Sequence, residues 1–162
     1  MGLDMYLERF PRGTKPSFDN EGGEEICYWR KANAIHKWFV DNVQGGIDDC
    51  NYHDEVTEDK LKELLHICDE IVCKVRLVPG KMCVGYSSTN GGELTPTIID
   101  GRVVDKPEIC EGLLPAQSGF FFGSTDYDES YMADVLQTIK HIAEILVETD
   151  FETDAVYYLS SW

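Results

Sequence analysis

A chain of 162 residues with 43% hydrophobic and 11% aromatic side chains is long enough for one domain with a substantial core, and too apolar to stay disordered. Its formal net charge of −16 is lopsided: residues 1–40 balance six basic against six acidic side chains, whereas residues 41–162 set eight basic against twenty-four acidic. Such a field repels nucleic acid at range, and no run approaches the ~20 apolar residues of a membrane span, so neither a nucleic acid nor a membrane is an expected partner.

The opening MGLDMYLERF has no basic region leading into an apolar stretch, and Tyr6 stands where a myristoylation signal needs Ser or Thr, which argues for the cytoplasm. Leu3, Met5 and Leu7 alternate with Asp4, Tyr6 and Glu8, the period of a half-buried strand. Residues 12–25, RGTKPSFDNEGGEE, read as a long loop. Ile26–Trp29 predicts a short strand feeding straight into a helix over Lys31–Val43, with Ile35, Trp38 and Phe39 inward and Gly45-Gly46 as its end. A second helix begins after Thr57, an N-cap followed by Glu58 and Asp59, which favour the helix dipole. Its stripe is Leu61, Leu64, Leu65, Cys68, Ile71, Val72 and Val75, and Pro79-Gly80 is its expected stop.

Asp100-Gly101 between Ile98-Ile99 and Val103-Val104 predicts a two-residue β-hairpin near 97–104, inside an insertion spanning 81–110. Phe120–Phe122 reads as a short strand. Asp128 then caps a third helix to about Glu148, with Met132, Val135, Leu136, Ile139, Ile142, Ala143 and Leu146 inward, and Ala155–Ser160 is the last strand. The pattern is that of a single α+β domain over 1–162, a mainly antiparallel sheet covered by about three helices with one extra hairpin.

The six cysteines (Cys27, Cys50, Cys68, Cys73, Cys83 and Cys110) form no CxxC pair and read as reduced, mostly buried thiols. His36 as a base, Cys27 or Cys50 as a nucleophile, and Asp48-Asp49 or Asp126 with Asp128 as Mg²⁺ ligands are all available. No spacing links any two of them, so no catalytic residue, metal ligand or cofactor is assigned.

Two stretches suit a ligand. Tyr28–Phe39, YWRKANAIHKWF, gathers Arg30, Lys31, His36 and Lys37 among aromatic rings in a chain short of positive charge. Arg30 could fork onto a phosphate while Tyr28 or Trp29 stacks on a ring, and Arg30, Asn33 and Lys37 share a face if the helix begins early. The plainer alternative is an amphipathic helix with a solvated polar face. The second stretch is QSGFFFGSTDY, residues 117–127. It lacks P-loop spacing, and Asp126, Asp128 and Glu129 oppose a phosphate at the helix start. Ser118, Phe121, Ser124 and Thr125 suit a ribose or a base instead. Strand alternation would send Phe121 to one face and Phe120 and Phe122 to the other. The two stretches make one site only if the first helix packs beside the second stretch.

MGLDMYL, YWRKANAIHKWF, LLPAQSGFFFGSTDYDESY and YYLSSW resemble blocks shared by a family of small uncharacterised bacteriophage and prophage proteins, joined there by more variable segments. The resemblance implies a host-directed accessory factor in the bacterial cytoplasm. In that context the expected function is non-enzymatic: binding, and so sequestering, a small nucleotide-derived immune signal of the host. Arg30, His36 and Lys37 would meet phosphates, and Trp29 and Phe121 would meet rings. A nucleotide-processing hydrolase and an acidic decoy for a basic host protein are the alternatives, and a homodimer or higher homo-oligomer could complete the pocket.

Overall fold

The structure is a computed structural model that describes residues 2–18, 23–88, 92 and 94–162. Its strands are β1 (Asp4–Pro11), β2 (Glu24–Arg30), β3 (Leu77–Ser87), β4 (Thr95–Val104) and β5 (Asp154–Ser161). Its helices are α1 (Asn33–Asn42), α2 (Glu58–Lys74), α3 (Pro107–Leu113) and α4 (Glu129–Glu148). The α+β class with antiparallel sheets is as expected from the sequence.

β1 is central in a sheet of order β2-β1-β5, antiparallel to both neighbours. Period-2 alternation buries Met5 and Leu7 of β1 and Cys27 and Trp29 of β2. α1 and α4 cover these side chains: Phe39 stacks on Tyr158 at 4.2 Å, and the Trp29 indole N–H donates to Thr138 Oγ1 of α4 at 3.0 Å. α2 packs along α4 and adds Leu61, Leu64, Cys68 and Ile71 to the same core. Both long helices carry the expected caps. Thr57 accepts from the Lys60 N–H, and Asp128 accepts from the N–H groups of Ser130 and Tyr131.

Several local expectations are corrected. β3 and β4 form the extra hairpin as a separate two-stranded sheet, and Asp100-Gly101 lies inside β4, opposite Lys81 and Gly80, rather than at the turn. Gly101 answers a packing need: a Cβ there would sit 2.1 Å from Met82 Sδ. Pro79-Gly80 does not stop α2, which ends at Lys74; Pro79 lies in β3, where a two-stranded sheet leaves proline an open edge. Part of the loop expected at 12–25 is strand β2, and residues 19–22 lie outside the described residues. α3, only seven residues long with Pro107 at its first turn, is additional. Leu136 and Ala143 of α4 face solvent because the inward stripe runs through Tyr131, Val135, Thr138, Ile142 and Ile145. Among the described residues no helix is long and apolar enough to cross a membrane.

Candidate functional site

The junction of β2 and α1 sets the site. Lys31 takes a left-handed backbone (φ +59°) while its N–H still bonds the Leu3 carbonyl at 2.8 Å. The chain thus leaves the sheet and starts α1 at Asn33 with almost no loop. Arg30 therefore ends a strand and shares no helical face with Asn33 and Lys37. Its Nη1 pairs with Asp4 at 3.0 Å, and the Tyr28 hydroxyl donates to the same carboxylate at 2.5 Å. Trp29 is fully buried and is a core residue. Lys37 pairs with Asp41 at 2.7 Å and borders a separate hollow of about 240 Å³ between α1 and α2.

Phe120–Phe122 is a turn, not a strand. Phe121 has φ +68°, so the expected alternation does not occur. Phe122 is buried edge-on to His36, while Phe120 and Phe121 are 82% and 47% exposed. α1 does pack beside this segment, and two of the expected ligand residues hold it in place. Asn33, itself buried, donates through Nδ2 to the carbonyls of Phe122 (3.2 Å) and Ser124 (2.8 Å) and accepts from the Gln117 N–H (3.1 Å). The second anchor starts at Tyr158, whose hydroxyl is 2.8 Å from His36 Nδ1, while His36 Nε2 is 3.0 Å from Asp48. The other Asp48 oxygen accepts from Gln117 Nε2 at 2.8 Å. Burial lowers the His36 pKa against the opposing pull of Asp48, which favours a neutral ring that accepts from Tyr158 and donates to Asp48. Asn33 and His36 thus position the segment, His36 wholly buried and Asn33 nearly so.

Between that segment and β3 lies a cleft of about 660 Å³. Ser118, Phe121, Ser124 and Thr125 form one wall, Cys83 to Tyr86 the other, and Lys31 lies between. Gly123 (φ +93°) takes the left-handed backbone that the turn beside Lys31 requires. A smaller lobe of about 330 Å³ continues the cleft toward Arg30, Tyr131 and Asp134, and Lys31, Ser124 and Asp126 border both lobes. Ser118, Phe121, Ser124, Thr125, Arg30 and Asn33 therefore meet around one cleft, whereas Tyr28, Trp29, His36 and Lys37 do not line it.

Lys31, named in the basic cluster but not among the expected ligand residues, is the cation shared by both lobes, and two features escape the sequence reading: β3 as a wall, and Asp134. The signal for Asp134 is its place three residues after Tyr131 and four before Thr138, an acid beside an inward helix face. Burial, reinforced by Asp128, pushes its carboxyl up to about 7. A carboxyl raised on folding is protonated in the native state between about pH 4 and 7 and ionised when unfolded, so it costs stability as pH rises through that window. Asp134→Asn should accordingly stabilise the protein at pH 8 by up to about 4 kcal/mol and leave it unchanged near pH 4. Urea unfolding at both pH values checks this, and an equal gain at both would refute the assignment.

Burial raises the thiols of Cys27 and Cys110 and pushes Cys68 up to about 12, which disfavours the nucleophilic thiolate at these three positions. Among the described residues no group of three His, Cys, Asp or Glu side chains is arranged around a metal position. A further hollow of about 340 Å³ adjoins Arg12 and Tyr157, but there Arg12 is held by both Glu55 oxygens and by the carbonyls of Phe151 and Asp154. No family model, curated protein or solved structure matches the chain.

Proposed function

We propose that the protein binds a small nucleotide-like ligand in the cleft between β3 and residues 118–125 and sequesters it without chemistry. The observation that carries this reading is the convergence of a cation (Lys31), two partly exposed aromatic rings (Phe121 and Tyr86) and three hydroxyls (Ser118, Ser124 and Thr125) on one cleft. Its volume falls within the ~300–1,000 Å³ typical of small-molecule sites. Rings and hydroxyls suit a base and a ribose, and the lysine suits a phosphate. Asp126 sets a limit on anion affinity, and its presence is the reason an open phosphate cradle is not proposed.

The phage context drawn from the sequence blocks extends the proposal: the ligand is a nucleotide-derived signal of bacterial immunity, removed in the host cytoplasm by tight binding. Native mass spectrometry of protein purified from cells that make such signals tests it. A sponge carries the ligand and returns it intact on heating, a hydrolase returns products, and a protein decoy carries no small molecule. Lys31→Ala should weaken retention at least tenfold, read by the same spectra, with the exposed α4 residue Lys140 mutated to Ala as the control. Full retention by Lys31→Ala would move the site elsewhere.

A further inference from the structure

The cleft has two lobes, and their linings differ in kind. The outer lobe, about 660 Å³, presents Tyr86, Phe121 and hydroxyls. The inner lobe, about 330 Å³, is lined by Asp134, Tyr131 and Arg30. Lys31 borders both, as do Ser124 and Asp126, so a cation sits beside a carboxylate where one lobe passes into the next.

Building on the reading above, we infer that the ligand is a dinucleotide, two nucleoside units joined through phosphate, with the bridging phosphate at Lys31 and a guanine-like base in the inner lobe on Asp134. A mononucleotide places its phosphate at one end of the molecule, whereas here the cation common to both lobes lies between two spaces. The outer lobe supplies stacking surfaces and hydroxyl partners for one nucleoside. The inner lobe supplies a carboxyl group with no hydrogen-bond or ion-pair partner of its own among the described residues. A carboxylate accepts from two parallel N–H groups, which is what the N1–H and exocyclic amine of guanine present; adenine has a single donor group there.

The charged and titratable groups around Asp134 fit this assignment. On its own helix Asp128 is occupied as the N-cap, and Tyr131 donates to the Leu114 carbonyl at 2.9 Å. From the other elements come Arg30, held by Asp4, Lys31, Cys83 of β3 and Asp126 of the loop. Because two ligand donors favour the ionised form, binding of a guanine unit should strengthen as pH rises through about 7.

Isothermal titration calorimetry with the intact protein tests the inference, with GMP, a linear 3′,5′-linked guanosine dinucleotide, its cyclic counterpart and the adenosine analogues of each. At least one guanosine dinucleotide should bind tenfold or more tightly than GMP and than its adenosine analogue, and whether the linear or the cyclic form does so identifies the linkage. Asp134→Leu should reduce that dinucleotide to the affinity of GMP. Asp134→Asn, which keeps the size of the side chain, gives a loss in the same direction if leucine upsets folding. Equal binding of mono- and dinucleotides, or a guanosine preference that survives both Asp134 variants, overturns the inference while leaving nucleotide sequestration standing. Absence of binding by every nucleotide overturns both.

Discussion

Trp29→Ala should lower stability by about 3–5 kcal/mol, the range for deleting a large buried aromatic. The indole fills the layer between β2 and α4 with no exposed surface, lies 6.0 Å from Phe39 and 5.7 Å from His141 between ring centres, and donates to Thr138. Removing it leaves a cavity and takes a partner from a buried hydroxyl, two costs that add. As a stacking platform for a ligand, Trp29 would give the reverse pattern, lost binding at normal stability. Urea unfolding followed by circular dichroism separates the two. A change below 1 kcal/mol would sink the core assignment. Trp29→Phe, which keeps most of the volume and loses the N–H, should cost about 1–2 kcal/mol.

Asn33→Ala should cost about 2–4 kcal/mol and free the cleft wall at the same time. One amide satisfies the carbonyls of Phe122 and Ser124 and the N–H of Gln117, and its loss strands the buried Phe122 carbonyl and unties the two part-buried groups. Residues 117–125 have no strand or helix ladder to fall back on, so the clamp and the Asp48–Gln117 bond hold them to α1. The expected signature is faster amide exchange confined to 117–125, beyond the global loss, together with weakened ligand retention. Asn33→Asp keeps the acceptor but turns a carboxylate toward two carbonyl oxygens, and should be worse than alanine. Unchanged exchange in 117–125 for Asn33→Ala would remove the clamp from the account.

What could be read from the sequence was local. β1 follows from alternation, β2 and β5 were legible as short strand runs, and α2 and α4 follow from their stripes and from Thr57 and Asp128, because each signal lies within a few residues of what it controls. Long-range partners were hidden. His36 sits on the buried face of α1 because Tyr158, 122 residues away, and Asp48 satisfy both its nitrogens, a pairing that no local pattern announces. Thr138 misled for the same reason: its hydroxyl accepts from Trp29 and donates to the Asp134 carbonyl, so a polar residue joins the inward stripe and Leu136 is displaced from it. Asp-Gly and Pro-Gly are turn signals on average, but here close packing of Met82 over Gly101 and the open edges of a two-stranded sheet place them in strands. The candidate site was half visible. Its hydroxyls, Phe121 and Arg30 were named, and its second wall was not, since β3 reaches it only through tertiary packing.

The order β2-β1-β5 also governs how the protein comes into being on the ribosome. Met5 can pair with Trp29 as soon as β2 emerges, but its partner on the other side is Ser160. At synthesis rates of ~5–20 residues per second, the second edge of β1 waits roughly 7–26 s for its complement. During that interval a row of unpaired backbone groups beside Leu3, Met5 and Leu7 is open to any other extended chain. Yield in the cell should therefore depend on how quickly translation finishes and on holdase chaperones, even where the finished protein is stable.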